Sequence, residues 1–391
     1  MAGRREPGEG GVRAVYVHAP FCARRCFYCD FAVTVSRSGD LGGWLRALRG
    51  EMAILEREGC LPLAPTLETV FVGGGTPSLL GPEAMRGLAG VLGLEKIDHA
   101  GLEWTAEANP ESFTPEVAVA WARAGVNRIS LGAQSFQGES LRWMGRLHGP
   151  AAPAEAVRRA RQAGIRNISL DLIFGLPEEV ERDWEKDLDS ALELGVPHLS
   201  LYGLTAEAGT PLGRSVSQGR VVPMGDDRYG EEFLMASDRL RGAGYRHYEV
   251  SNFARPGFES RHNLTYWELR PYLGLGNSAH SYNFPLRRWN LRGWSEYQRA
   301  VREGVSPVAE EEELTPEAAR LEALWLGLRT GAGIPLATLS SEGRALVRGW
   351  VAKGYALCGS GALRLTPEGW LLLDQLTLDL DAVEEAGSAP P

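Results

Sequence analysis

The chain of 391 residues is too long for one ordinary domain, and two or three units are expected. Its 44% hydrophobic and 23% charged residues are those of a water-soluble globular protein. A net charge of −9 argues against bulk nucleic-acid binding, which needs a basic face to displace counterions from phosphate. No run of about 18 apolar residues exists to span a membrane.

The opening MAGRREPGEGG has charge but no apolar core, so no secretory signal is read and residues 1–11 are expected to be disordered. Strand-like VRAVYVH ends at His18 and leads into three closely spaced cysteines. Helix-like GWLRALRGEMAILERE (43–58) follows, then strand ETVFVGGG (68–75) and a helix opening at GPEAMRGLAGVLG. LEWTAEANP (102–110) is a third strand, and Pro115 opens the next helix at its first turn. VNRISLGAQSF (126–136), IRNISLDLIFGLP (165–177) and PHLSLYGLT (197–205) are strands four to six, with helices between them. Six βα-type units in about 200 residues predict an α/β fold with a parallel sheet, curled as a partial barrel over residues 12–215.

Beyond the barrel the pattern changes. A turn-rich connection, a helix at 226–243, a strand YRHYEVSNF and an aromatic, Gly-punctuated stretch form an α+β extension over 216–305. The acidic run Glu310–Glu313 reads as a solvated approach to a helix N-terminus. Helices and the strands GYALC and ALRLT make a small helical, winged-helix-like module over 306–380, and 381–391 reads as a disordered tail.

The chemistry gathers at the C-terminal ends of the six strands, where a parallel barrel builds its site. In order these carry His18 with the cysteines, Gly73-Gly74-Gly75-Thr76-Pro77, Glu107, Gln134, Asp171, and Tyr202 with Thr205. Only three of the five cysteines cluster, as Cys22-x3-Cys26-x2-Cys29, and this usage fits a reducing, cytoplasmic compartment. Three thiols do not settle their own chemistry. A disulfide leaves one over, zinc would recruit His18 as a fourth ligand, and a four-iron cluster would keep one iron open.

The triplet, with Tyr28 as the aromatic before its last cysteine, resembles the radical S-adenosylmethionine (SAM) superfamily. That resemblance implies a [4Fe–4S] cluster on Cys22, Cys26 and Cys29, with the methionine end of SAM on the open iron. It also implies that Gly74, Gly75 and Thr76 receive the methionine end, and that Tyr16 and Tyr28 flank the cofactor. Glu107, Gln134, Arg146 and Asp171 would bind its carboxylate or ribose. Within the superfamily, YVHAPFC, GGGTPS, EANPE, SLGAQSF, GRLH and DLIFGLP resemble the oxygen-independent coproporphyrinogen III oxidase-like family, in its order and spacing.

Two functions divide that family: oxidative decarboxylation of coproporphyrinogen III, and heme carriage by the heme chaperone HemW branch. Phe31 stands where the dehydrogenases usually have a further cysteine, and only about a dozen residues precede the first strand where they have an extension that covers substrate. HNLTYW, His262 to Trp267, resembles the heme-associated motif of the chaperone branch. The resemblance therefore implies a heme carrier, with His262, Tyr266 and Trp267 as heme contacts. Its expected partners are heme, a heme-acceptor protein, and an electron donor such as flavodoxin or ferredoxin. His247 and His280 read as structural.

Overall fold

The computed structural model describes residues 11–94 and 101–388. The barrel units are β1 (Ala14–Ala19), α1 (Leu41–Glu58), β2 (Thr69–Gly74), α2 (Ala84–Leu92), β3 (Glu103–Ala108) and α3 (Pro115–Ala124). They continue with β4 (Arg128–Gln134), α4 (Gly138–Trp143), α5 (Ala152–Gln162), β5 (Asn167–Phe174), α6 (Trp184–Glu193) and β6 (His198–Gly203). Local sequence sets the helix ends. The Asp40 carboxylate caps α1 by accepting from the Gly43 N–H, and Gly59 closes it in the left-handed conformation. The Thr114 hydroxyl caps α3 ahead of Pro115.

β1 to β6 pair side by side and all in parallel. Their outward residues are apolar and fully buried under the helices: Val15, Val17, Val70, Val72, Leu170 and Leu172 are all 0% exposed. The inward residues are set by register, with Tyr16 opposite Phe71, Glu107 opposite Ser130, and Asp171 opposite both Gly132 and Ser200. A parallel sheet is normally apolar on both faces. Here the inward face is polar, which marks it as the working face of the fold.

The extension adds α7 (Pro211–Ser217), α8 (Asp226–Gly242), β7 (Arg246–Glu249), β8 (Asn252–Ala254), α9 (Arg261–Trp267) and β9 (Leu273–Leu275). β9 joins β1 in parallel, while β8 joins β6 antiparallel and carries β7 outside it. The resulting order is β9-β1-β2-β3-β4-β5-β6-β8-β7, a nine-stranded sheet whose two edge strands do not pair with each other among the described residues. YRHYEVSNF is thus two short strands and not one. Its chain reverses at Val250-Ser251, where the Ser251 carbonyl accepts from the Leu201 N–H at 2.7 Å.

β10 (His280–Asn283), β11 (Leu286–Asn290), α10 (Trp294–Arg302) and β12 (Val308–Glu313) follow, and the three strands form one antiparallel sheet. The acidic run is exposed and leads to the next helix, as expected, but it does so as a strand. Glu311 and Glu312 lie opposite Arg288 and Arg287, so cross-strand charge pairing favours the ladder that an isolated acidic run would oppose.

The C-terminal module has the helix–strand–helix–hairpin order of a winged helix. It comprises α11 (Pro316–Arg329), β13 (Ile334–Pro335), α12 (Ser341–Ala352), β14 (Ala356–Gly359), β15 (Ala362–Leu365), α13 (Pro367–Trp370) and α14 (Leu373–Ser388). α14 continues through the stretch expected to be a tail from Asp381, because the buried Leu380 and the Arg320–Asp381 pair (2.9 Å) keep it docked. Residues 389–391, and all of the expected N-terminal disorder except Gly11, lie outside the described residues. No helix among the described residues is long and apolar enough to cross a membrane.

Candidate functional site

The cysteine loop is held to the end of β1 by short pairings. Phe21 and Cys22 run parallel to Thr34 and Val35, the Thr34 N–H donates to the Pro20 carbonyl (2.7 Å), and the Ser36 N–H donates to the Cys22 carbonyl (2.9 Å). All five cysteines are free thiols, so the disulfide alternative has no support in the fold. The three loop cysteines line one cavity of about 510 Å³ at the C-terminal end of the strands. Burial pushes the Cys22 thiol up to about 11, against a hydrogen bond to Thr76 Oγ1 at 3.4 Å, and burial likewise raises Cys29. Buried thiols of this kind ionise when a cation binds them. No three His, Cys, Asp or Glu side chains among the described residues converge as ligands of one metal ion. A four-iron cluster takes each thiolate at a separate corner.

The glycine segment is spliced onto this loop. The Gly75 N–H donates to the Ala19 carbonyl (2.8 Å) and the Thr76 N–H to the Phe21 carbonyl (2.7 Å). A Cβ on Gly75 would lie 2.6 Å from the Ala19 oxygen and 2.7 Å from the Phe21 oxygen, so only glycine allows the approach. The Gly74 N–H donates to Glu107 Oε2 at 3.0 Å. Burial, then the charge of Asp171, holds the Glu107 carboxyl up to about 8. Burial also raises Asp171, against hydrogen bonds from Ser130, Ser200 and Ser169. Two buried carboxyl groups that repel one another suit a cationic ligand, which would favour their ionised forms.

Arg146 lines the same cavity. Its Nη2 donates to Asn109 Oδ1 (2.7 Å) and the Gly132 carbonyl (2.9 Å), and its Nη1 lies 3.8 Å from Cys26 Sγ. Asn109 Nδ2 donates to Thr76 Oγ1 at 3.1 Å, linking Arg146 to the glycine segment. Gln134 sits at a register shift of β4 with φ of +65°, and its buried Oε1 has no partner. A non-glycine residue in that conformation, aiming an orphaned acceptor into a cavity, fits a missing hydrogen-bond donor.

The fold thus brings Cys22, Cys26, Cys29, Tyr28, Gly74, Gly75, Thr76, Glu107, Gln134, Arg146 and Asp171 around one cavity. Asn109, Ser130, Ser169 and Ser200 are partners that sequence reading missed. Their signal was period two: Ser169 shares a strand face with Asp171, and Asn109, one residue past the end of β3, keeps the parity of Glu107. Tyr16 does not line the cavity. Its hydroxyl donates to His18 Nδ1 (3.0 Å), while His18 Nε2–H donates to the Ala32 carbonyl (3.0 Å). Burial lowers His18 to about 4, so it is a neutral brace beneath the loop with both nitrogens engaged.

HNLTYW enters at the opposite end of the strands, where His262 meets the start of β2, and its Tyr266 hydroxyl is buried within reach of the charges of Tyr16 and Glu107. His262 is 1% exposed, with Nδ1 bonded to Thr69 Oγ1 (2.8 Å) at the start of β2 and Nε2 to the Tyr266 hydroxyl (2.7 Å). Its ring stacks on Phe71 at 5.3 Å, and burial lowers it to about 3. Trp267 lies under the Arg329 guanidinium at 4.3 Å. His247 is packed between Phe253 and Trp370, and His280 stacks on Trp289.

The thiol loop, the glycine splice, the paired carboxyl groups and the orphaned Gln134 oxygen fit a cluster-bound SAM. The model of the radical SAM superfamily matches residues 16–191. A heme chaperone HemW of Mycobacterium tuberculosis is 38% identical over 379 residues, 96% of each chain. That of Bacillus subtilis is 33% identical over 371 residues, covering 92% of this chain and 97% of its own. Among solved structures, coproporphyrinogen III oxidase (HemN) from Escherichia coli, a radical SAM enzyme, superposes with a TM-score of 0.76 over 95% of this chain and 90% of its own. At 21% identity that likeness shows a shared fold. The chain belongs to the radical SAM superfamily and, within it, to the family of the heme chaperone HemW.

Proposed function

We propose that this chain is a heme chaperone, which binds heme and passes it to an acceptor protein. It carries a [4Fe–4S] cluster on Cys22, Cys26 and Cys29, with SAM at the open iron. The observation that carries the reading is similarity over 96% of both chains to a relative named a heme chaperone, through the extension and the C-terminal module. The cluster and SAM, when bound, supply one-electron chemistry. Thr76 and Asn109 orient Arg146, whose fork suits a carboxylate. Glu107 and Asp171 accept from donors on the ligand, and Gln134 accepts one more. A flavodoxin or ferredoxin would serve as electron donor. For His262 to reach heme iron it must release Thr69 or Tyr266, because both ring nitrogens are engaged.

Hemin titration of the anaerobically reconstituted chain, followed by addition of apomyoglobin as a heme sink, tests the reading. Saturable Soret binding and transfer to the sink are expected. Absence of saturable binding, or turnover of coproporphyrinogen III with SAM, overturns it in favour of the dehydrogenase or neither.

A further inference from the structure

Apolar side chains that folding normally hides stand exposed around the cavity mouth. Phe31 is 63% exposed, Leu147 52% and Tyr202 45%, and all three line the same cavity, Tyr202 from its inner wall with its hydroxyl buried beside Ser200 and Asp171. They come from separate segments: the cysteine loop, the turn after α4 and the end of β6. Single exposed apolar residues are ordinary, but convergence on one opening marks a binding surface.

The same mouth carries Arg24 and Arg25, both exposed. Neither makes a salt bridge or side-chain hydrogen bond among the described residues, although Arg25 lies near Cys29. Arg24 packs over Gly145, two residues before Leu147, with its Cζ 3.8 Å from where a Cβ would stand. Asp30 is taken by Arg292 at 3.1 Å and Glu111 by His148 at 3.3 Å, so Glu207 has no ion-pair partner among the described residues. In a chain of net charge −9, two free guanidinium groups beside exposed aromatic and aliphatic surface call for a flat apolar ligand with two anionic groups.

We propose that heme binds at this mouth, its macrocycle against Phe31, Leu147 and Tyr202 and its propionates at Arg24 and Arg25. The proposal rests on the reading of the chain as a heme chaperone, and it places the cargo where that reading did not. His262 of HNLTYW is at the other end of the barrel strands, bonded to the first residue of β2, whereas the mouth lies beyond Gly74 at its last. Heme at the mouth would cover the cluster thiols and the SAM-binding residues, so cargo and cofactor would share one opening.

The test is hemin titration of the cluster-loaded full chain, read at the Soret band. Arg24→Glu with Arg25→Glu weakens hemin about tenfold or more and flattens the salt dependence of binding. Leu147→Glu, outside the thiol loop, weakens it similarly. Glu207→Lys tightens it, a change of sign that general destabilisation would not produce. Iron and sulfide content shows whether each variant keeps its cluster, and Leu147→Glu with Glu207→Lys decide the matter if the double arginine variant does not. Wild-type affinity in both of these overturns the site. So does a loss confined to His262→Ala, and in either case saturable binding by the parent leaves the chaperone reading standing. No saturable binding by the parent overturns that reading itself.

Discussion

Glu51, on α1, is buried and accepts from three groups that follow it by more than two hundred residues. These are the Tyr297 hydroxyl (2.6 Å), the Gly276 N–H (2.8 Å) and Asn290 Nδ2 (2.5 Å). Burial pushes its carboxyl from the ordinary 4.5 up to about 7, although all three bonds favour the ionised form. The folded chain therefore holds this proton more tightly than the unfolded one. Stability falls as pH rises from about 4.5 to about 7 and levels off above. In Glu51→Gln that drop disappears. The stability difference between variant and parent is expected to shift in the variant's favour by about 2 kcal/mol between about pH 5 and about pH 7.5, read from urea midpoints. Glu51→Ala instead leaves the buried Tyr297 hydroxyl and Gly276 N–H without an acceptor, while Asn290 Nδ2 keeps the Gly276 carbonyl (2.9 Å), and the variant is destabilised by about 3 kcal/mol or more at either pH.

At the scale of elements, the joint between β2 and the cysteine loop decides whether the site exists. Its two backbone bonds hold the glycine segment under Ala19 and Phe21, and the atoms crowding Gly75 are backbone, which cannot swing aside. Gly75→Ala must part the two segments. The expected outcome is a loss of about 1–3 kcal/mol in stability and a fall in iron and sulfide bound after reconstitution. Retention of a full cluster with unchanged stability would show that the joint does not position the thiols. β12 teaches the complementary lesson. Its four glutamates form a strand because Arg287 and Arg288 stand opposite on β11, with Arg287 also paired to Glu322 on α11.

Across the whole molecule, the C-terminal module is tied to the sheet edge through a buried ion pair. Arg329, at the end of α11, meets the fully buried Glu249 of β7 at 3.0 Å. Backbone bonds flank the pair, from the Val250 N–H to the Arg329 carbonyl (3.2 Å) and from the Gly331 N–H to the Tyr248 carbonyl (2.8 Å). Arg329→Ala strands a buried carboxylate and is expected to destabilise the fold by about 3–5 kcal/mol. Adding Glu249→Gln should recover part of that loss, and denaturation midpoints of the single and double variants check it. No recovery would mean that the arginine acts through packing on Trp267 and not through charge.

How much of this was legible in the sequence follows from the range of the forces involved. Period-two patterning and turn residues are local, so β1 to β6 and the polar residues at their ends could be read directly. Cys22, Gly75 and Glu107 fall at or just past strand ends, Asp171 lies three residues inside the end of β5, and the parallel order of the strands brings them together. Charge pairing across strands is not local, so the sequence showed Glu310–Glu313 as a solvated approach to a helix but not as a strand paired to Arg287 and Arg288. Asn109 showed its parity but not its partners, Arg146 and Thr76, which only packing supplies. His262 is the sharpest case. The HNLTYW spacing marks the residue, whereas only the tertiary structure places its ring against Thr69 and Phe71 with both nitrogens occupied. The sequence by itself determined the chemistry available at each strand end, because side-chain type and period are local properties. The tertiary structure decided which of those groups share a cavity and which apolar residues stay exposed at its mouth, because burial and partnership depend on segments far apart in the chain.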